Sequence, residues 1–246
     1  MNPTERFTER ADDYAAARPS YPDAAIDALF EGISDPSQYT VVDLGAGTGI
    51  SSRLLAARGA QVIAVEPNAA MAARGARAAN LRLHAAAAER TGLAGASADL
   101  VTAFQAFHWF DRSAAIAEIL RLLRPGGRAA VIYNERDERD PFTAAYGAIV
   151  RRYATEETER LRADARSAFE RDRAWRSVRI VEAEHAHRLD RAGLHARARS
   201  TSYLPAEDAD ARVLHADLDM LFDRYAKHAA VFVRMLATVS IATPPS

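Results

Sequence analysis

Three glycines at alternate positions form the stretch of this chain best suited to hold a ligand. Gly45, Gly47 and Gly49 follow an apolar, β-branched run over residues 39–44. Glycine tolerates positive φ and lets the backbone approach a bound molecule closely. A helix beginning near Ile50 would point its free N–H groups at whatever lies over the turn. The turn is therefore predicted to contact a cofactor.

Two acids lie close to this turn in the sequence or in the expected fold. Asp43 lies two residues before the first glycine, and Glu66 ends the next predicted strand. An acid placed about 20 residues after such a turn can accept hydrogen bonds from both hydroxyls of a ribose. We therefore expect a nucleoside-containing cofactor, with Glu66 on its ribose.

The remaining features of the turn bear on which nucleoside it accepts. The dinucleotide fingerprint GxGxxG ends in Gly or Ala, where this chain has Ile50, and Asp43 would repel a pyrophosphate. No Gly-Lys-Ser/Thr follows, so the phosphate-binding P-loop pattern is absent. An NAD(P)-dependent oxidoreductase is therefore a weaker alternative than a cofactor whose near end is an amino acid. Asp43 would accept from that amino group, directly or through water, or else brace the turn.

His108 is the candidate catalytic residue. It follows the fourth predicted strand within the aromatic run Phe107, Trp109 and Phe110. An imidazole there could face the acceptor as a general base, or it could only line the pocket. Both interpretations stay open.

The elements that position these residues alternate regularly. Strands are predicted at 39–44, 61–66, 81–85, 99–104 and 128–133, with helices between them. Such alternation indicates right-handed crossovers and a parallel sheet. Residues 135–176 keep a helical period and are predicted to be an inserted segment over the carboxyl edge of the sheet. Further elements are predicted as a strand at 178–189, helices at 190–199 and 206–225, and a strand at 230–242.

Composition excludes several classes of function. The 246 residues contain no cysteine, which excludes disulfides, thiolate nucleophiles and Cys-ligated zinc. Three histidines, at 185, 187 and 195, show no consistent ligand spacing, so no metal site is predicted. A net charge of −1 provides no general attraction to nucleic acid. No signal-like or membrane-spanning run is visible, and a cytoplasmic location is expected.

Five ordered motifs carry a family resemblance. Residues 41–49 resemble motif I of the class I S-adenosylmethionine-dependent methyltransferases, and residues 65–68 with Met71 resemble the second-strand acid and the residues after it. Ala88 and Glu89 stand at the adenine-side loop, although the Gly-Asp or Gly-Thr common before them is missing. Residues 99–111 and 123–128 are similar to the type 11 small-molecule subgroup. The lead-in Tyr14, Arg18 and Tyr21 resembles that of trans-aconitate-methyltransferase-like members.

The resemblance implies a fold and a cofactor site. The fold is α/β: a doubly wound, Rossmann-like, mostly parallel seven-stranded sheet with the last strand antiparallel, plus the inserted helical segment. The cofactor is S-adenosyl-L-methionine, with S-adenosyl-L-homocysteine as product. The residues expected to bind it are Asp43, Gly45, Ala46, Gly47, Gly49, Glu66, Pro67, Asn68, Met71, Ala88, Glu89, Gln105, Tyr14 and Arg18.

The acceptor and the organisation of the chain are predicted more coarsely. We expect methyl transfer by in-line displacement to a small organic acceptor, a carboxylic acid or secondary metabolite. The alternative is a protein of this fold that binds the cofactor without methylating, as a cyclase or partner-binding subunit. The predicted substrate pocket comprises Tyr21, Phe107, His108, Trp109, Phe110, Tyr133, Phe142 and Tyr146.

A single domain is predicted over 1–246, divided into an N-terminal helical lid at 1–36, a cofactor-binding core at 37–134, the insertion at 135–176 and a C-terminal part at 177–246. No nucleic-acid or membrane partner is expected, and the chain is predicted to be a monomer or homodimer.

Overall fold

The structure is a computed structural model that describes residues 20–73, 78–153, 156–201, 204–205 and 209–245; for 156–160 and 209 it describes the backbone only. Its centre is a seven-stranded sheet in the order β3-β2-β1-β4-β5-β7-β6. The strands are β1 Thr40–Leu44, β2 Gln61–Val65, β3 Leu81–His84, β4 Ala98–Phe104, β5 Leu123–Arg136, β6 Ser177–Leu189 and β7 Val231–Thr243.

The sheet has the predicted mixture of strand directions. Strands β3, β2, β1, β4 and β5 pair in parallel, and β7 runs antiparallel to both β5 and β6. β1 lies between β2 and β4, so the strand order reverses there. Ligands of doubly wound sheets bind at the carboxyl ends of the strands beside such a switch point. The predicted fold class is therefore confirmed, and it places the glycine turn at this point.

Helices cover both faces of the sheet. They are α1 Asp23–Asp27, α2 Ile50–Ala57, α3 Ala69–Ala73, α4 Arg112–Leu122, α5 Pro141–Arg151, α6 Glu156–Glu170, α7 Arg191–Arg199 and α8 Ala209–Tyr225. Short 3₁₀ turns occur at Ala28–Phe30, Pro36–Gln38 and Phe107–Trp109. α1 and α2 pack on one face, whereas α4 and α6 pack on the other.

The core strands form where apolar residues are buried on both faces. Val41, Val42 and Leu44 of β1 are fully buried, as are most residues of β2 and β4. Such near-continuous apolar runs are typical of a parallel sheet covered by helices. A third apolar cluster joins α5, α7 and α8 to the amino-terminal half of β7, away from the glycine turn.

β5 is longer than the sequence pattern predicts. It was expected at 128–133 and spans Leu123–Arg136, because β7 pairs with it as far as Glu135 and Arg136. The first residues of the predicted insertion therefore belong to the sheet. The helical part of that segment is α5 followed by α6.

Two predicted features extend beyond the described residues. The part of the N-terminal lid with Tyr14 and Arg18 falls in 1–19, and the start of the helix predicted at 206–225 falls in 206–208. Across the part of the chain that is described, no helix combines the length and apolar character needed to cross a membrane.

Candidate cofactor and acceptor site

The glycine turn has the backbone conformation that its composition predicts. Gly45, Gly47 and Gly49 have φ of 67°, 58° and 71°, in the left-handed region. At Gly45 an added Cβ would lie 2.7 Å from Ala106 Cβ and 3.1 Å from the Phe110 ring. Gly45 is thus required both by its φ and by the close approach of the segment after β4.

Backbone hydrogen bonds attach the turn to the neighbouring strand. The N–H of Ala46 donates to the Val65 carbonyl over 3.0 Å, and the N–H of Gly49 donates to the Ala46 carbonyl over 2.9 Å. Gly49 then caps α2, whose N–H groups open toward the turn. These hydrogen bonds fix the turn against the end of β2.

Glu66 connects the end of β2 to this turn. Its Oε2 accepts the Gly47 N–H at 2.9 Å, and its Oε1 accepts the Asn68 N–H at 2.8 Å. Burial raises the pKa of Glu66, the two backbone N–H groups oppose that shift, and the charge of Asp43 adds to it. A carboxylate has about four lone-pair sites, so two remain for hydroxyl donors of a ligand.

Asp43 lies beneath the turn and is fully buried. Its Oδ2 accepts from the Ser51 and Ser52 hydroxyls at 2.7 and 2.6 Å, and its Oδ1 accepts from the Thr102 hydroxyl at 2.8 Å. Burial raises the pKa of Asp43, and these three O–H donors oppose that shift. In this geometry the carboxylate ties β1, α2 and β4 together and thereby braces the turn.

The residues after Glu66 shape the side of the site expected to hold adenine. Asn68 caps α3, accepting the N–H groups of Ala70 and Met71 at 2.9 and 3.2 Å. Met71 is buried, and its Cε lies 3.4 Å from a Cβ built on Gly47. Pro67 is exposed at the rim. The flexible thioether and the turn therefore adjoin the same space.

The Ala88–Glu89 loop reaches the segment after β4. Ala88 is buried in the cluster on the α4 side of the sheet, and Glu89 Oε1 accepts the N–H of Asp111 at 2.9 Å. Asp111 in turn caps α4 through the Ala114 N–H. Glu89 thus fixes the loop against the start of α4.

Gln105 follows β4 with a left-handed φ of 52°. Its Nε2 donates to the Asn134 carbonyl at 2.7 Å, while its buried Oε1 has no hydrogen-bond partner among the described residues. Asn134, near the carboxyl end of β5, donates to the Ser20 carbonyl, and its side-chain oxygen lies 2.7 Å from His185 Nε2. This places an unsatisfied amide oxygen at the carboxyl edge of the sheet.

His108 stands beside Tyr133 in the same region. The Tyr133 hydroxyl lies 3.4 Å from His108 Nδ1, and the His108 ring lies 4.6 Å from the Trp109 ring. Burial lowers the pKa of His108 to about 3, with a further contribution from the charge of Arg162 on α6. The imidazole is therefore neutral at physiological pH.

The structure gathers only part of the predicted acceptor pocket. Phe107, Phe110 and Tyr133 belong to one cluster with Phe169 and Trp175. Tyr21 packs edge-on against Phe104 on the opposite face of the sheet, with ring centroids 4.8 Å apart. Phe142 and Tyr146 belong to the cluster around α5, α7 and α8, and they do not join His108.

Several residues of the site were not predicted from the sequence. Ser51, Ser52 and Thr102 carry no motif signal, because hydroxyls that satisfy a buried acid are recognised only when the strands are assembled. Asn134 could have been found, since it directly follows the strand predicted at 128–133, at the same sheet edge as the other site residues. Arg162 comes from α6, whose position over Phe107–Trp109 no local pattern reveals.

The site fits a nucleoside bearing an amino-acid end. The turn leaves no side chain between the backbone and a ligand, and Glu66 keeps free acceptor capacity. The buried Oγ1 of Thr48, within the turn, has no hydrogen-bond partner in the described part of the chain. Buried polar atoms are usually satisfied in native proteins, so this atom and Gln105 Oε1 are available to a bound group.

Comparison with known proteins agrees with this geometry. Residues 42–131 match the family described as "Methyltransferase domain". An uncharacterized methyltransferase of Mycobacterium tuberculosis is 41% identical over 141 residues, which is 56% of this chain and 56% of that protein. Demethylmenaquinone methyltransferase of Beutenbergia cavernae is 37% identical over 117 residues, covering 47% of this chain and 49% of that protein. The chain thus spans about half the length of the curated relatives it matches.

The fold is shared with a solved structure over nearly all of its length. A provisionally named type II methyltransferase from Anaeromyxobacter dehalogenans superposes with a TM-score of 0.64 at 24% identity, covering 92% of this chain and 96% of that one. At this identity the similarity concerns the fold alone. The family match and the relatives also imply S-adenosylmethionine as the cofactor, as predicted, without singling out the trans-aconitate subgroup. Over residues 42–131, the chain is thus similar to S-adenosylmethionine-dependent methyltransferases.

Proposed function

We propose that this protein binds S-adenosylmethionine over the glycine turn and transfers its methyl group to a small organic acceptor. The observation that carries the proposal is the 2.9 Å hydrogen bond from Gly47 to Glu66. It brings the turn after β1 and the acid after β2 to one space at the switch point of the sheet. The match of residues 42–131 to a methyltransferase domain supports S-adenosylmethionine as the ligand there.

Each residue of this space has a proposed task. Glu66 accepts the ribose hydroxyls through its remaining lone pairs, and Met71 packs against the adenine. The backbone of the turn receives the amino-acid end of the cofactor, while buried Asp43 keeps the turn in shape through its three hydroxyl donors. Glu89 and Ala88 border the adenine side.

The chemistry places modest demands on the protein. The sulfonium supplies a methyl group that is already activated, so the chain mainly has to align the acceptor and exclude water. Alignment of this kind lowers a barrier by roughly 7–11 kcal/mol in favourable cases. The wall of Phe107, Phe110 and Tyr133 is apolar and buried or half-buried, which suits the exclusion of water.

Methyl transfer can be measured with S-adenosylmethionine labelled in its methyl group. Panels of small carboxylic acids, phenols and amines serve as acceptors, and label in an extractable product together with S-adenosylhomocysteine is the expected result. The control is Glu66→Ala, which should lower turnover at subsaturating cofactor. If the wild type binds S-adenosylhomocysteine but transfers no label to any panel, the non-methylating alternative replaces this proposal.

A further inference from the structure

A polar pair interrupts the apolar wall beside the glycine turn. Tyr133 is fully buried, and its hydroxyl lies 3.4 Å from Nδ1 of His108. The other ring nitrogen, His108 Nε2, is also buried, and it has no hydrogen-bond partner among the residues described. Buried polar atoms seldom remain unsatisfied without a functional reason.

The tyrosine determines which nitrogen of His108 carries the proton. Burial raises the pKa of the Tyr133 phenol far above neutral pH, although the backbone N–H of His108 opposes this shift. The phenol therefore keeps its proton, and a buried hydroxyl hydrogen needs an acceptor. Within the described structure, His108 Nδ1 is the acceptor in hydrogen-bond range. A neutral imidazole has one donor and one acceptor nitrogen, so Nδ1 is the acceptor and Nε2 carries the hydrogen.

The charges around the pair favour a negatively charged ligand atom. Arg162 on α6 acts on both His108 and Tyr133, and Arg112 on α4 acts on Tyr133. Glu135 on β5 is the acidic group that acts on the phenol. Arg162 is thus the charged group that acts on His108 itself, and hydrogen bonds to a charged partner are the stronger kind.

We propose that Tyr133 is a positioning residue that locks His108 in its Nε2–H tautomer, and that this N–H donates to an anionic oxygen of the methyl acceptor. His108 then orients the acceptor and does not act as a general base. This inference rests on the proposed methyl transfer for its ligand. For a carboxylate acceptor, one oxygen receives the N–H and the other forms the new bond to the methyl carbon. The carbon–sulfur bond breaks, its electron pair goes to sulfur, and no proton needs to be removed.

The tautomer can be measured without any ligand. In protein labelled with ¹⁵N-histidine, the His108 signals are assigned by their loss in His108→Gln. We expect a pyridine-type Nδ1 and a pyrrole-type Nε2 that do not titrate between about pH 5 and pH 8, the range in which an ordinary histidine changes charge. Tyr133→Phe removes only the hydroxyl and should shift the ring toward a mixture of tautomers. A protonated Nδ1 in the wild type, or titration near the ordinary histidine value, would overturn the proposal.

The donor role is tested by two matched variants in the methyl-transfer assay, with benzoate and related small carboxylates as probes. His108→Gln keeps an N–H donor and is expected to retain kcat/KM within several-fold. His108→Leu removes the donor and should lose about ten- to a hundredfold, the range for a hydrogen bond to a charged group. Equal losses in both variants would contradict the donor role. If the wild type does not bind S-adenosylhomocysteine, the proposed function is rejected. The tautomer measurement needs no ligand, so it still tests whether Tyr133 fixes the tautomer of His108.

Discussion

Glu66 shows how far a single residue can be interpreted from the sequence. Its spacing from the glycines predicts a ribose ligand, and the structure places its carboxylate against the turn through Gly47 and Asn68. What the sequence does not reveal is that both oxygens already accept backbone N–H groups. Glu66 therefore has two tasks, since it orders the turn and, as proposed, holds the ribose.

Removal of this carboxylate is expected to weaken cofactor binding. Glu66→Ala should raise the Kd for S-adenosylhomocysteine about ten- to a hundredfold, because a hydrogen bond to a charged group contributes ~1.5–3 kcal/mol. Isothermal titration calorimetry measures the change. Glu182→Ala, an exposed acid on β6, is the control and should bind as the wild type does. An unchanged Kd in Glu66→Ala would remove Glu66 from the cofactor site.

Gly45 allows backbone strain and steric overlap to be separated. Gly45→Ala places a Cβ 2.7 Å from the Cβ of Ala106. The control is Gly126→Ala. Gly126 has a similar φ of 81°, but a Cβ added there would have no atom within 4 Å. The control should lose about 1–2 kcal/mol from its left-handed φ alone. Gly45→Ala should lose about 2–5 kcal/mol, since overpacking adds to that strain.

Urea unfolding of the two glycine variants provides the comparison. Equal losses of free energy of unfolding would show that the contact with Ala106 is relieved by small shifts. The turn would then be less rigid than its geometry indicates.

At the scale of elements, α4 is anchored by an ion pair that periodicity alone does not reveal. Glu118 is buried on α4, accepts from Nε of Arg121 at 2.7 Å and from the N–H of Thr91 at 2.9 Å. The Arg121 hydrogen bonds hold the pKa of Glu118 at about 2, below its ordinary 4.5, against the effect of burial. This contact joins α4 to the loop that follows β3.

Neutralising this acid should destabilise the fold in a pH-dependent manner. Because the folded pKa is depressed, the stabilisation is present above pH 4.5 and is lost as pH falls toward about 2. Glu118→Gln should lower the free energy of unfolding by ~1.5–3 kcal/mol at neutral pH. The difference in free energy of unfolding between variant and wild type should become smaller below pH 4.5. Urea unfolding at neutral pH and at about pH 4 measures both values.

The exposed pair Glu184–Arg139 offers a matched control for Glu118. Both side chains are about 70% exposed, and such pairs contribute roughly 0–1 kcal/mol. Glu184→Gln should therefore change stability little at either pH. The anchoring role would be contradicted if Glu118→Gln lost no more free energy of unfolding than Glu184→Gln. It would also be contradicted if the loss in Glu118→Gln were as large at about pH 4 as at neutral pH.

Helices and strands could be predicted from the sequence where their pattern of apolar residues is local. The alternation of strands and helices up to residue 134 identified the parallel sheet, because buried strands and amphipathic helices have distinct periods. The length of β5 was not predictable, since residues 123–127 and 134–136 become strand only through pairing with neighbours such as β7. The sequence also did not show that Phe142 and Tyr146 pack with α7 and α8, as such contacts depend on tertiary arrangement.

For the whole molecule, the arrangement of sheet, turn and acids supports one cofactor site. The carboxyl ends of β1, β2, β4 and β5 bring Gly47, Glu66, Gln105 and Asn134 to one edge of the sheet. Residues 42–131, which include most of this edge, match a methyltransferase domain. The residues predicted for the acceptor pocket fall into three separate clusters, because their packing depends on segments that are distant in sequence.

The most direct test of this cofactor assignment is a calorimetric titration of the wild-type protein with S-adenosylhomocysteine and, separately, with NADH. We predict saturable one-to-one binding of S-adenosylhomocysteine and no measurable heat with NADH, because Asp43 and Ile50 disfavour a pyrophosphate at the turn. Binding of NADH without binding of S-adenosylhomocysteine would contradict the assignment.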